Sequence, residues 1–157
     1  MNDDIITMLQ PLSPSLRILN LSNTKITDTC MCVIGGFPKL IELSLDRTRL
    51  TDVGLKAIFT IPYLKILSIS QTRVTNTVLL QLQDATWIKS MESLNLSRCE
   101  NTSDEGIPGL TVLINLQHLN LDHTKVTRQC IKILKGIERF LFISLLLAIL
   151  SIYIYMF

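Results

Sequence analysis

The sequence predicts an α/β solenoid with parallel strands on one face, short helices on the other, and a hydrophobic helix at the C-terminal end. Three observations predict it. The string Leu40-Ile-Glu-Leu43-Ser-Leu45-Asp-Arg-Thr48-Arg-Leu50-Thr-Asp52-Val-Gly54-Leu55 recurs, nearly copied, four more times. Within each copy apolar residues first alternate, as on a half-buried strand, then return at about every third place, as on a helix face. The last stretch, residues 140–157, carries no charge.

The copies keep a near-constant period. Leu21, Leu45, Ile69, Leu96 and Leu121 are equivalent, at intervals of 24, 24, 27 and 25. Such a period marks stacked repeats, in which no unit buries its apolar face alone. In the second strand Leu43 and Leu45 face inward while Glu42, Ser44 and Asp46 face outward, because successive side chains alternate. Thr48 then turns the chain. A small polar residue there can bond the buried backbone of the turn, which needs partners. Thr24, Thr72, Cys99 and Thr124 hold the same place.

Asp28, Asp52, Asn76 and Asp104 come next, as expected helix N-caps. Arg128 stands there in the fifth unit, so its helix is expected to be less well capped. Behind the caps run apolar faces: Met31, Ile34 and Phe37; Leu55, Ile58 and Ile61; Ile107, Leu110 and Leu113; Ile131, Leu134 and Ile137. Pro38 and Pro62 end two helices, and Pro108 lies early in the fourth, where proline is tolerated. Trp87, in the longest connection, is expected to pack on the core. Residues 3–11 read as the helical half of a preceding repeat.

The L-x-x-L-x-L-x-x-[TC]-x-[IVL]-T-D string resembles the leucine-rich repeat family from residue 16 to about 139. The resemblance implies a leucine-rich-repeat solenoid with a parallel concave sheet and convex helices, serving as a non-enzymatic scaffold for a protein partner. Thr24, Thr48, Thr72 and Thr124 stand where the family more often has Asn or Cys. Cys99 is similar to the cysteine-containing subtype, familiar from the substrate-receiving arrays of F-box ubiquitin-ligase components. That similarity implies an alternative, a soluble substrate-recognition array of such a ligase, although no F-box-like segment precedes residue 16. A piece of a longer array is a further reading.

Residues 1–139 therefore form the expected solenoid, and 140–157 a separate segment. At ~1.5 Å per residue the segment spans about 27 Å as a helix, close to the ~30 Å hydrocarbon core of a bilayer. Its Leu, Ile and Phe contribute roughly −5 kcal/mol to insertion. Lys132, Lys135 and Arg139 precede it and no charge follows, which orients the repeats toward the cytosol. A sixth strand is the competing reading, since Phe140, Ile143 and Leu145 lie 24 residues after Leu116, Leu119 and Leu121. The expected location is a membrane, with a cytoplasmic protein as the alternative. The acidic start, Met-Asn-Asp-Asp, does not read as a secretory signal. Cys30, Cys32, Cys99 and Cys130 form no C-x-x-C pair, so reduced thiols packed inward are expected.

The net charge is +2, without a basic stripe interleaved with aromatics, so nucleic acid is not an expected partner. No phosphate loop, nucleophile elbow or zinc motif is present in the sequence, and no cofactor, metal or small-molecule substrate is expected. His118 and His123 lie five apart and are expected to point to different faces. The candidate partner-binding residues are those that the repeat leaves free on the concave face: Glu42, Ser44, Asp46, Arg47, Gln71, Asn95, Arg98, His118, Asn120 and Asp122. They fall in columns, with no large aromatic among them.

Overall fold

The computed structural model describes residues 3–134. The expected hydrophobic helix at 140–157, the alternative sixth strand and the boundary at 139 lie outside the described residues. Five strands form one parallel sheet in chain order: β1 (Ile18–Asn20), β2 (Glu42–Ser44), β3 (Ile66–Ser68), β4 (Ser93–Asn95) and β5 (His118–Asn120). The register pairs Leu19, Leu43, Leu67, Leu94 and Leu119 in one row. All five are buried, as are Leu21, Leu45, Ile69, Leu96 and Leu121 two residues on. The residues between them face away from the core. Among the described residues no element covers the outer side of this sheet, whose side chains alternate with the buried leucines.

The other side is covered by α1 (Ile5–Leu9), α2 (Met31–Ile34), α3 (Asp52–Ala57), α4 (Asn76–Leu79) and α5 (Cys130–Leu134), extended by 3-10 turns. Met31, Ile34, Phe37, Leu55, Ile58, Ile61, Ile107, Leu110, Leu113 and Leu134 join the strand leucines in one continuous core. Each such side chain contributes roughly 1.5–3 kcal/mol on burial. The fourth repeat departs from the expected short α-helix. It forms a 3-10 helix over Asp104–Val112. Gly106 and Gly109 are poor α-formers, and Pro108 lacks the N–H an α-turn would use. Trp87 fills the longer third connection, as expected. It is 0% exposed, donates from Nε1 to the Ile58 carbonyl at 3.0 Å, and meets the Phe59 ring edge-on at 5.8 Å.

The threonine turns close as the residue type dictates. Thr24, Thr48, Thr72 and Thr124 donate their hydroxyls to the carbonyls of Leu21, Leu45, Ile69 and Leu121 at 2.6–2.7 Å. The Cys99 thiol points instead to the Ile69 carbonyl of the previous repeat, at 3.2 Å. The residue before each turn residue is left-handed: Asn23, Arg47, Gln71, Arg98 and His123 have φ of 54–60°. The repeat string held no sign of this, because glycine stands at none of the five.

The helix caps correct the sequence-based expectation. The extended Ncap residues are Thr27, Thr51 and Thr75, whose hydroxyls accept from the N–H two residues on. Thr127 accepts from Gln129 N in the same way, ahead of α5. Ser103 takes the Ncap place in the fourth repeat without a side-chain bond of that kind. The acidic residues do something else. Asp28 accepts from Thr51 N at 2.8 Å and from the Thr51 hydroxyl at 2.5 Å. Asp52 accepts from Thr75 N and its hydroxyl, both at 2.7 Å. Asn76 accepts from Ser103 N and donates to its hydroxyl, and Asp104 serves Thr127. At the start of the described chain, Asp3 serves Thr27. Each T-D pair therefore couples two repeats: Thr starts its own helix and is held by the acid of the repeat before.

Glycine completes this ladder. A Cβ at Gly54 would collide with Asp28 Oδ1, and one at Gly106 would lie 2.7 Å from Asn76 Oδ1. Cys30 occupies the equivalent place in the first repeat and donates to Asp3 Oδ1 at 2.8 Å. That bond, with the Thr27 N–H, holds the Asp3 carboxyl below its usual pKa. Burial, with Asp3 alongside, pushes the Cys30 thiol up to about 12.

Candidate functional site

The open sheet face is built by strand register. One column runs Ile18, Glu42, Ile66, Ser93 and His118, and the next Asn20, Ser44, Ser68, Asn95 and Asn120. In the first column Ile18, Ile66 and His118 are exposed, while Glu42 and Ser93 are half-buried. In the second, Ser44, Ser68 and Asn95 are half-buried and the terminal Asn20 and Asn120 exposed.

The middle of this face is bonded to itself. Asp46 Oδ1 accepts from the Ser68 hydroxyl at 2.6 Å and from Ser70 N at 2.7 Å. Ser22 and Ser44 share a hydroxyl contact at 2.7 Å. Asn95 donates to the Ser68 hydroxyl at 2.9 Å and accepts from Ser97 N at 3.0 Å. Asn120 accepts from Asp122 N at 2.9 Å. Ser44, Asp46, Asn95 and Asn120, chosen as contact residues, thus also shape the face from within. A polar group already bonded gains less from a partner than one released from water alone.

Arg47, Gln71 and Arg98 are exposed, but they occupy the left-handed corners past the strands, not the sheet face itself. They form a row beside it. Arg47 reaches back to Asn23 Oδ1 at 3.4 Å. His118 starts β5 and is exposed; His123 lies at the fifth corner, so the two histidines belong to different rows. Asp122 is half-buried between them. Among the described residues no group of three or more His, Cys, Asp or Glu could hold a metal ion.

Three thiols sit in the core. Burial is the main cause that raises Cys99, and burial together with Asp104 pushes Cys130 up to about 11. Cys32 is exposed, against the expectation that all four pack inward. It follows Met31, and α2 turns it to solvent.

The stacked T-D repeats and the single parallel sheet define a leucine-rich-repeat solenoid. The Leucine Rich repeat family model matches residues 12–29 and 38–59, the first two strand-bearing units. Solved structures share the fold. An internalin (inlF) from Listeria monocytogenes str. 4b F2365 aligns with a TM-score of 0.66 at 22% identity, over 85% of this chain and 35% of its own. The tropomodulin C-terminal domain of Caenorhabditis elegans aligns at 0.65 and 16% identity, over 87% of this chain and 91% of its own. Internalin C2 (inlC2) from the same Listeria strain aligns at 0.57 and 24% identity, over 82% and 50%. This chain therefore spans about a third and a half of the two internalin chains. No curated protein matches the sequence. The fold of the described residues is that of a leucine-rich-repeat solenoid, and the two matched units carry the family's sequence pattern. No helix among the described residues is long and apolar enough to cross a membrane.

Proposed function

We propose that this chain is a non-enzymatic scaffold that binds a protein partner on the open, concave face of its sheet. It is held at a membrane through residues 140–157, with the repeats toward the cytosol. The observation that carries the binding reading is the face itself. Five strands lie in register, and among the described residues no element covers their outward columns, while the inward columns make the core. Ile18, Glu42, Ile66 and His118 stand at one side of this face, Arg47, Gln71 and Arg98 at the other, with a self-bonded polar floor between. A partner seated there meets shaped polar ground flanked by apolar and charged contacts, the composition of an interface rim and core. The membrane reading is supported by the uncharged run of residues 140–157 and the basic residues before it.

Site-specific photo-crosslinking tests the binding reading. A crosslinker at Glu42 or Ser93 is expected to capture a discrete partner, and one at Lys56 or Leu80, on the helical side, to capture none. Adducts from the helical positions only would overturn it. Alkaline extraction of membranes tests the anchor: the full chain should stay in the pellet, and its release into the supernatant would refute the tether.

A further inference from the structure

The turns that lead into the strands stack along one rim of the array. The backbone N–H groups of Ile41, Lys65, Glu92 and Gln117 reach the carbonyls of Arg17, Ile41, Lys65 and Glu92, each at 2.8 Å. Further out, Ser90 donates to the Leu64 carbonyl at 2.9 Å and Asn115 to the Lys89 carbonyl at 2.7 Å. The exposed side chains of this leading rim include Arg17, Lys39, Tyr63, Lys65, Lys89 and Ile114, with the neutral Gln117 at its far end. Tyr63 is 65% and Ile114 53% exposed, both among the most exposed large apolar groups described. Glu92 is the carboxylate of the backbone column, and it is bonded to Lys65 at 2.7 Å. Half-buried Glu42 begins the sheet face behind.

We infer that this leading rim seats on the headgroup layer of an anionic bilayer. The residue types are those of an interfacial contact. Tyr offers an apolar ring with a polar tip, and Lys and Arg lay apolar stems against the surface while their charges meet lipid phosphate or carboxylate. Strands repeat at about 4.8 Å, so five repeats place these groups along roughly 20 Å of one edge. Cations near an anionic leaflet each gain roughly fivefold in partitioning. A contact this weak needs a second attachment. The inference rests on the proposed anchor at 140–157 for that attachment, which begins six residues after the last described one. The basic residues and Tyr63 lie one to four residues ahead of the strands, at places the repeat string leaves unspecified.

The test uses the full chain with Tyr63→Trp, mixed with vesicles of phosphatidylcholine alone or with about a third phosphatidylserine. The anchor is read by flotation with the neutral vesicles. The rim is read by emission of the indole introduced at position 63, against the constant signal of buried Trp87. Expected is a blue shift at position 63 on the anionic vesicles only, with quenching by brominated lipid, both lost in high salt. Lys39→Glu with Lys89→Glu should abolish the shift while leaving flotation and the melting curve unchanged. Emission unchanged between the two vesicle types, or unchanged by salt, overturns the inference; a rim that meets a protein gives that result. Failure to float on neutral vesicles refutes the anchor and with it the attachment the rim needs, whereas flotation on both vesicle types without the blue shift refutes the rim alone.

Discussion

Removal of one rung of the acid ladder, Asp52→Ala, should cost about 2 kcal/mol. Asp52 accepts two bonds from Thr75, N–H and O–H, at 2.7 Å each. Both partners are half-buried, so solvent replaces part of what is lost. About 1 kcal/mol per bond is a fair net value under those conditions. For a domain of this size 1 kcal/mol shifts the melting temperature by roughly 4 °C, so a fall of about 8 °C is expected. Asp52→Asn should cost less than about 1 kcal/mol, because Asn76 already makes the equivalent pair of bonds to Ser103. Thr75→Val removes only the hydroxyl, and its double-mutant cycle with Asp52→Ala should give a coupling near 1 kcal/mol. The assay is urea unfolding followed by circular dichroism and by Trp87 fluorescence, whose coincidence checks that the array unfolds as one unit. If Asp52→Ala shifts stability by less than about 0.5 kcal/mol, the ladder does not hold the repeats together and the reasoning fails.

Other substitutions follow from the same packing. Thr102 is 0% exposed in a column of Ile26, Leu50 and Val74, and its hydroxyl is one of the few buried polar atoms without a partner among the described residues. Thr102→Val should therefore stabilise by about 1 kcal/mol in the urea assay. Gly109→Ala should cost about 1–3 kcal/mol, since its Cβ would overlap the Leu79 carbonyl, a backbone atom that cannot swing aside. Gly36→Ala, with its nearest contact at 3.3 Å, is the mild control. At pH 8 a disulfide reagent should label Cys32 rapidly. Cys30 and Cys130 are buried and hold their protons up to about 12 and 11, so their labelling should wait for unfolding.

The fold was legible because the repeat writes it several times. Leu43 and Leu45 alone fit a strand in many folds; five in-phase copies fit one stacked sheet. The role of Asp28, Asp52 and Asp104 was misread for a physical reason. A carboxylate beside a helix start satisfies a local N–H in most proteins, and only stacking puts the next repeat's Thr within 2.8 Å instead. The left-handed corners at Arg47 and Arg98 were hidden because no Gly marks them. The 3-10 geometry of Asp104–Val112 follows from Gly106, Pro108 and Gly109, but periodicity alone did not separate it from an α-helix. The candidate face was legible as columns. Which members are self-bonded was not, because Asp46 finds Ser68 and Ser70 across a strand boundary.

The repeat divides into side chains that build the stack and side chains proposed to meet a partner, and one comparison tests that division most directly. Ile18→Ser combined with Ile66→Ser alters two positions of the first column on the solvent side of the sheet. The melting temperature should stay within about 2 °C of wild type, as surface changes usually do, while the partner adduct from a crosslinker at Glu42 disappears. Full retention of that adduct in the folded variant would contradict the assignment of the open sheet face as the binding surface.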